Sequence, residues 1–190
     1  MSKTFFISDM HFFHSNCLIY EIDRIKLVES ELNIIVDIGR FEKDDAYRKE
    51  ITAAFVEILI RRWNEVVSED DTVWCLGDVG FGSKDILARA ISRLKGHKRL
   101  IRGNHDNCSD SWYLEHGFEF VSKYPIVLKG HFILSHAPID NMDYIPNMFF
   151  VYGHVHSKGG FQTRTSNSCC VCVERQSFYP VQISEFDNYQ

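Results

Sequence analysis

Apolar and polar positions along the chain follow patterns that predict a mixed α/β fold. An apolar run over residues 3–8 stops at Asp9, which indicates a buried strand that ends in a polar turn. Between residues 44 and 67 apolar residues recur every three or four positions, the spacing of an amphipathic helix. Residues 15–43 mix helix and strand signals, so we predict only helical or irregular cover there.

The middle of the chain predicts a strand, a crossover helix and a second strand. Residues 72–78 have the continuous apolar pattern of a fully buried strand. Ser83 is placed to cap a helix whose apolar face continues to Leu94, with Gly96 at its carboxyl end. Residues 97–103 form the next predicted strand. Two strands joined by a helix within about 30 residues predict a parallel βαβ unit.

After a short predicted helix at residues 109–116, the pattern changes to short apolar segments separated by turn residues. These segments lie at residues 118–122, 124–130, 131–136, 148–154, 169–174 and 179–184. The sequence shows no internal repeat and no linker, and it therefore predicts a single α/β domain over residues 1–190. A pair of stacked sheets flanked by helices would accommodate this many buried strands.

Composition narrows the class of protein. Of the 190 residues, 45% are hydrophobic and 25% are charged, which is typical of a globular domain. The net charge of −5 argues against stable binding of nucleic acid through its backbone, but it allows a nucleotide at a local site. No apolar run reaches the roughly 18 residues that span a bilayer, so no membrane association is predicted. Without a signal peptide, the six cysteines indicate reduced thiols and a cytoplasmic protein.

Side chains that bind metals follow the predicted strand ends. Asp9 and His11 follow the first strand, Asp78 the second, Asn104, His105 and Asp106 the third, and His136, His154 and His156 two later strands. In open α/β sheets, ligands bind beyond the carboxyl ends of the strands. A Gly-Asn-His-Asp tetrapeptide is expected by chance in only about one chain in a thousand, so the ordered set is a specific signal.

Oxygen and imidazole donors of this kind favour borderline divalent ions over Ca²⁺. Manganese, iron, zinc and nickel are the candidates, and the donors do not distinguish between them. Seven or eight ligands exceed the needs of one tetrahedral ion. They suit two ions roughly 3.5–4 Å apart that share a carboxylate.

The ordered motifs resemble those of the calcineurin-like metallophosphoesterases. They extend from residue 9 to residue 156, and each metal-ligand position of the family pattern is filled. The resemblance implies a four-layer α/β/β/α sandwich, in which two stacked mixed sheets are flanked by helices. It also implies a dinuclear metal centre that hydrolyses phosphoester bonds.

The resemblance further implies a role for each residue. The first metal would be held by Asp9, His11 and His156, the second by Asn104, His136 and His154, and Asp78 would bridge the two. His105 and Asp106 are the candidate catalytic residues. His105 would face the leaving group and donate a proton to it or stabilise its charge. Asp106 would orient His105 or act behind the ligands.

Two further residues are candidates for substrate contact. His14 lies three positions after His11 and would reach the substrate phosphate, with a packing role as an equal alternative. Arg164 follows the last histidine motif and would hold a phosphate group through paired N–H donors. A solvated loop arginine is the favoured alternative at that position.

Three clustered cysteines invite comparison with a zinc site. Cys169, Cys170 and Cys172 lack a fourth ligand at zinc-finger spacing, and we predict that they pack as small apolar residues. The family pattern matches this segment only loosely, so no role is assigned to Asn167 or Glu174.

The predicted function is metal-dependent hydrolysis of a small phosphoester, with nucleotides among the candidate substrates. A phosphodiester is favoured over a phosphomonoester. The alternative is a catalytically inactive scaffold or phosphate-binding protein on the same fold, which should lack a ligand or the acid histidine. Residues 15–43 are hypothesised to overhang the site and influence substrate choice. The sequence does not predict an oligomeric state.

Overall fold

The computed structural model describes residues 2–141 and 145–182, which form two β-sheets and a set of helices. The strands are β1 (Thr4–Ile7), β2 (Thr72–Cys75), β3 (His97–Ile101), β4 (Phe118–Ser122), β5 (Ile126–Leu128), β6 (Phe132–Leu134), β7 (Phe149–Tyr152), β8 (Ser168–Cys170) and β9 (Val181–Gln182). The α-helices are α1 (Ser15–Tyr20), α2 (Ile22–Leu32), α3 (Ile38–Lys43), α4 (Asp45–Val66), α5 (Lys84–Ile91) and α6 (Asp110–Glu115). A 3₁₀-helix follows at Val173–Gln176.

Both sheets are mixed, which confirms the predicted fold class. The first sheet has the strand order β4-β3-β2-β1-β9, and β9 is its antiparallel strand. The second sheet has the order β5-β6-β7-β8, and β5 is its antiparallel strand. The predicted βαβ unit is present as β2, α5 and the parallel strand β3. All strands followed by candidate ligands therefore have parallel neighbours.

Alternation along β1 shows how the first sheet contributes to two cores. Phe5 and Ile7 face the helices, whereas Phe6 faces the second sheet, as the two-residue period of a strand requires. The core below the helices includes Phe41, Ile51, Phe55, Leu59, Trp63, Val73, Cys75 and Leu100. The core between the sheets includes Phe6, Trp74, Leu76, Ile101, Phe132, Leu134, Phe149 and Val151. The two sheets are therefore stacked face to face.

Helix ends follow the capping signals in the sequence. The Asp44 side chain accepts hydrogen bonds from two backbone N–H groups at the start of α4, at Ala46 and Tyr47, each 3.0 Å long. Ser83 caps α5 as predicted, with a bond of 3.4 Å from the backbone N–H of Ile86. Helix α5 ends at Ile91, so the predicted continuation to Leu94 is a turn.

The outer face of the second sheet is covered differently from the first sheet. Phe150, Tyr152 and Val155 are buried there, and they pack against Ile139 and Met148 from loops. The described helices α1 to α6 contribute their buried residues to the core of the first sheet.

Residues 15–43 form three helices, one of the two alternatives that the sequence allowed. Residues 169–174 differ from the prediction. The strand predicted at residues 169–174 ends at Cys170, because the chain crosses from the second sheet to the first. The Val171 N–H donates to Tyr152 in the second sheet, and the Val171 carbonyl accepts from Ser8 in the first. Of the segment predicted at residues 179–184, residues 183 and 184 lie outside the described part.

Within the described residues, no helix combines the length and apolar character needed to cross a membrane.

Candidate metal centre

The carboxyl ends of β1, β2, β3, β6 and β7 converge where the two sheets join. The Ser8 N–H donates to the Val171 carbonyl over 2.9 Å and connects the sheets at this end. The loop after β1 continues to pair with the loop after β2, since the N–H groups of Asp9 and His11 donate to Gly77 and Asp78. Backbone bonds therefore align the first two ligand-bearing loops before any metal binds.

Many candidate ligands adopt the left-handed backbone conformation. The φ angles are 60° at Asp9, 48° at His11, 55° at Asp78, 70° at His154 and 47° at His156. Few residues other than glycine adopt positive φ, and such strain concentrates at functional sites. The folded loops hold these side chains in positions that an unstrained backbone would not provide.

Asp9, His11 and His156 form one half of the site. Asp9 Oδ1 lies 3.8 Å from His11 Nε2 and 3.5 Å from His156 Nε2. Asp9 and His11 are buried, and among the described residues neither Asp9 Oδ1 nor either His11 ring nitrogen has a hydrogen-bond partner. Buried polar atoms without partners are destabilising, and a cation bound between them would satisfy them.

Asn104, His136 and His154 form the other half. His136 Nδ1 lies 2.7 Å from the Leu76 carbonyl, so we assign the proton to Nδ1 and the free lone pair to Nε2. His136 Nε2 is 2.9 Å from Asn104 Oδ1 and 3.1 Å from His154 Nδ1. Three donor atoms on three separate loops therefore converge.

Asp78 lies between the two halves. Its Oδ2 is 3.4 Å from His11 Nε2 and 3.6 Å from His136 Nε2. Its Oδ1 accepts a 2.9 Å hydrogen bond from the backbone N–H of His105. This placement is the one required of a carboxylate shared by two cations.

Burial and charge shift the pKa values of this group. Burial raises the pKa of Asp78 to about 6 and lowers the pKa of His11 to about 4. Burial would also raise the pKa of Asp9, but the close approach of the His11 ring and the nearby charges of His156 and His136 hold it well below its ordinary value. Asp9 therefore carries a buried negative charge that a cation would compensate.

The ligand atoms are close enough to act together. Those of Asp9, His11 and Asp78 lie within 4.8 Å of one another, and those of His11, Cys17 and His156 form a second such group. The residues present therefore fit divalent metal ions. Cys17 is a candidate that the sequence analysis did not identify.

Asp106 supports the loops that carry the ligands. Its buried carboxylate accepts hydrogen bonds from the backbone N–H groups of Asp78, Val79 and Gly103, over 2.8, 3.0 and 2.8 Å. The Tyr113 hydroxyl donates a further bond of 3.1 Å. Of the two roles that the sequence allowed Asp106, these contacts support the one behind the ligands.

His105 lies at the exposed side of the site, in an aromatic group. Its ring centroid is 5.6 Å from that of His11 and 5.2 Å from that of Phe81. Phe81 also stacks on His14 at 4.0 Å. His14 is thus at the rim of the site, where both a packing role and a substrate contact are available to it. The sequence analysis did not identify Phe81.

Glu174 is a second residue that the sequence analysis left without a role. Its Oε1 lies 3.2 Å from His156 Nδ1 and accepts a 2.6 Å bond from Arg24 Nε. Burial would raise the pKa of Glu174, but the charge of Arg24 and the contact with His156 together outweigh that effect and lower it. Burial would lower the pKa of His156, but Glu174 and Asp9 raise it. No local sequence pattern connects these residues.

The remaining candidates are Arg164 and the three clustered cysteines. Arg164 pairs through its backbone with Cys169 of the edge strand β8. Cys169, Cys170 and Cys172 are buried free thiols. The Cys172 thiol also contacts Asp9 Oδ2 at 3.3 Å, so it packs directly behind a ligand.

The structure predicts that Gly103→Ala will disrupt the site. A Cβ at residue 103 would lie 2.1 Å from Asp78 Oδ1, so the carboxylate or the loop would have to move. We expect destabilisation of about 1–3 kcal/mol and weaker metal binding, measured by thermal unfolding and calorimetric titration with Mn²⁺. Gly159→Ala is the control, because a Cβ there meets no atom within 4 Å. Equal metal affinity in the two variants would contradict the prediction.

Comparison with known proteins agrees with this geometry. A profile of the family described as calcineurin-like phosphoesterase matches residues 2–171. The Gene 66 protein of Mycobacterium phage L5 is 38% identical over 109 residues, which cover 56% of this chain and 41% of the phage protein. The chain thus matches only about two fifths of the length of that relative.

Two further relatives cover more of the chain. The uncharacterized protein MJ1445 of Methanocaldococcus jannaschii is 29% identical over 157 residues, covering 77% of this chain and 75% of that protein. The crystal structure of the protein of unknown function AQ665 from Aquifex aeolicus aligns over 100% of both chains, with a TM-score of 0.65 and 22% identity. At that identity the likeness concerns the fold.

Proposed function

We propose, since this chain belongs to the calcineurin-like phosphoesterase family, that it hydrolyses small phosphodiesters at a centre of two divalent metal ions. Membership of the family indicates metal-dependent phosphoester hydrolysis. The observation that supports two ions is the placement of Asp78 Oδ2, within 3.6 Å of a histidine nitrogen from each half of the site.

When bound, two divalent cations would lower the pKa of a water molecule and neutralise charge on the phosphoryl oxygens. The residues of the chain position the ligand-bearing loops and the proton donor. Asp78 holds the two halves together, and Asp106 fixes the loops on which Asp78 and Gly103 lie. His105 is exposed beside the ligands, and in this proposal it would donate a proton to the departing oxygen.

Two cavities beside the second half of the site favour a diester over a monoester. One, of about 540 Å³, is lined by His154 together with Pro138, Lys158 and Phe161. The other, of about 420 Å³, is lined by Asn104 with Arg102 and Lys123. A phosphodiester has two substituents, and two cavities next to candidate ligands would accommodate one each. Lys158 in one cavity and Arg102 and Lys123 in the other would complement the negative charge of a nucleotide ester.

Metal removal and reloading tests the proposal. We expect metal-stripped protein to be inactive and Mn²⁺ to restore hydrolysis, with faster turnover of bis-p-nitrophenyl phosphate than of p-nitrophenyl phosphate. The measurement is the release of p-nitrophenol with each ester, run in parallel with metal content per chain. Faster turnover of the monoester would overturn the diester assignment.

The same experiment addresses the inactive-scaffold alternative. That alternative predicts two bound ions per chain and no turnover of either ester with manganese, zinc, nickel or ferrous iron. A complete set of candidate ligands together with an exposed His105 favours the enzyme.

A further inference from the structure

Arg24 is a fully buried cation on the amphipathic helix α2. Its guanidinium Nη2 donates to the Asp9 carbonyl over 2.6 Å, and Nη1 donates to the Met10 carbonyl over 3.0 Å. Both carbonyls belong to the turn that carries Asp9 and His11. An arginine is rarely fully buried unless it is paired, so this placement requires an explanation in the surrounding residues.

Glu174 is the partner of Arg24 and lies beside the metal ligands. Its Oε1 lies 2.6 Å from Arg24 Nε and 2.5 Å from Arg24 Nη2, and its side chain is 1% exposed. The same oxygen is 3.2 Å from His156 Nδ1. His156 Nε2, on the other side of the ring, is directed at Asp9 Oδ1, 3.5 Å away. One carboxylate therefore links a buried guanidinium to a ligand histidine.

We infer that Arg24 and Glu174 are positioning residues that determine the affinity of the first metal site, an inference that rests on the proposed function. Glu174 holds the proton on His156 Nδ1, which keeps the Nε2 lone pair directed at the metal position. Arg24 holds Glu174 and, through two carbonyls, the turn of Asp9 and His11. All three ligands of the first half are thus oriented by one pair of charges.

The chemistry of the pair explains why both members are needed. A carboxylate behind a ligand histidine fixes the orientation of its ring and increases its basicity as a ligand. Arginine presents several N–H donors in a rigid plane, so a single side chain reaches Glu174 and two backbone carbonyls at once. This gives residues 15–43 a role beneath the site, in addition to the overhanging role hypothesised from the sequence.

Metal affinity of Glu174→Gln tests the inference without any substrate. Gln has nearly the size of Glu but no charge, and its amide retains an oxygen for the His156 N–H. We expect one of two Mn²⁺ sites to weaken by about 10–100-fold, with the other unchanged. The measurements are calorimetric titration of metal-stripped protein with Mn²⁺ and the visible spectrum of the Co²⁺-loaded protein, which reports ligand geometry.

Glu31→Gln is the matched control. Glu31 also lies on the molecule's helical side, where it pairs with Arg61 and Arg62 on α4 through contacts of 2.6 and 2.5 Å. It contacts no candidate ligand through these bonds. We expect this variant to bind both ions with wild-type affinity and to leave the Co²⁺ spectrum unchanged.

Arg24→Lys and Arg24→Met extend the test to the second member of the pair. Lysine keeps the charge but not the planar set of donors, so we expect Arg24→Lys to retain part of the Mn²⁺ affinity. Arg24→Met should lose at least as much Mn²⁺ affinity as Glu174→Gln does. If Arg24→Met does not fold, the Glu174→Gln result stands alone. Thermal unfolding of each metal-free variant separates loss of fold from loss of affinity.

The outcomes distinguish this inference from the proposed function. Wild-type affinity at both sites and an unchanged Co²⁺ spectrum in Glu174→Gln would overturn the positioning role while leaving hydrolysis intact. Two bound ions without hydrolysis in the wild type would overturn the proposed function while leaving the positioning role intact. Failure of the wild type to bind any metal would overturn both.

Discussion

Asp78→Asn is expected to lower kcat/KM for a phosphodiester by about 10³-fold or more. The amide keeps the size of the side chain but carries no charge, and it places an NH₂ group against His11 or His136. Loss of one cation removes several kcal/mol of transition-state stabilisation, and each 1.36 kcal/mol corresponds to a tenfold change in rate. The measurements are kcat/KM with bis-p-nitrophenyl phosphate and bound metal per chain. Two bound ions with activity within tenfold of wild type would contradict the bridging role.

Asp71→Asn is the control for loss of a buried carboxylate. Asp71 precedes β2 at the opposite end of the sheet and accepts hydrogen bonds from Lys3 and Ser68, over 2.7 and 2.8 Å. Its replacement should lower the melting temperature, while metal content and activity remain at the wild-type level.

The pH dependence of the melting temperature of metal-free Asp78→Asn independently tests the raised pKa of Asp78. Burial raises the pKa of Asp78 from 3.8 to about 6, so above that pH the ionised carboxylate opposes folding. Below its ordinary pKa the group is protonated in both the folded and unfolded states, and it has no such effect. The variant should therefore melt higher than metal-free wild type at about pH 8 and lose most of that advantage near about pH 4. An unchanged difference between the two pH values would contradict the shifted pKa.

The elements that the sequence predicts well are those with a strong local pattern. The spacing of apolar residues predicts the buried strand β1 and the amphipathic helices α4 and α5. Asp44 and Ser83 cap the starts of the two helices. Candidate ligands are identifiable for a similar reason, because each follows a short buried strand. Parallel strands bring their carboxyl ends together, and no long-range information is needed to expect convergence.

The parts that the sequence does not predict depend on contacts between distant segments. Arg24 and Glu174 are 150 positions apart, and an arginine on a helix is ordinarily solvent-exposed. Residues 169–174 have a strand pattern throughout, yet Val171 bonds to both sheets and the strand ends before Cys172. Phe81 has no signal of its own, since its role arises from stacking on His14. Tertiary structure overrides local preference at each of these positions.

His105→Ala is expected to lower kcat by about 10²–10⁴-fold for esters with a poor leaving group. An alkoxide leaving from a dinucleotide needs a proton, whereas p-nitrophenolate is stable without one. The loss with bis-p-nitrophenyl phosphate should therefore be about tenfold or less. His105 is not among the candidate ligands, so metal content should not change. The control is His97→Ala. His97 is an exposed histidine that pairs with Glu119, and it lies at the start of β3, the strand that precedes His105.

The loss of kcat with the dinucleotide, divided by the loss of kcat with bis-p-nitrophenyl phosphate, identifies the role of His105. General acid catalysis predicts a far larger loss with the dinucleotide, since only that leaving group depends on proton transfer. Stabilisation of the phosphoryl oxygens predicts equal losses with both esters, because the charge on those oxygens develops whichever group departs. Equal losses would therefore reassign His105 from the leaving group to the phosphate, while a ratio of about tenfold or more would establish it as the proton donor.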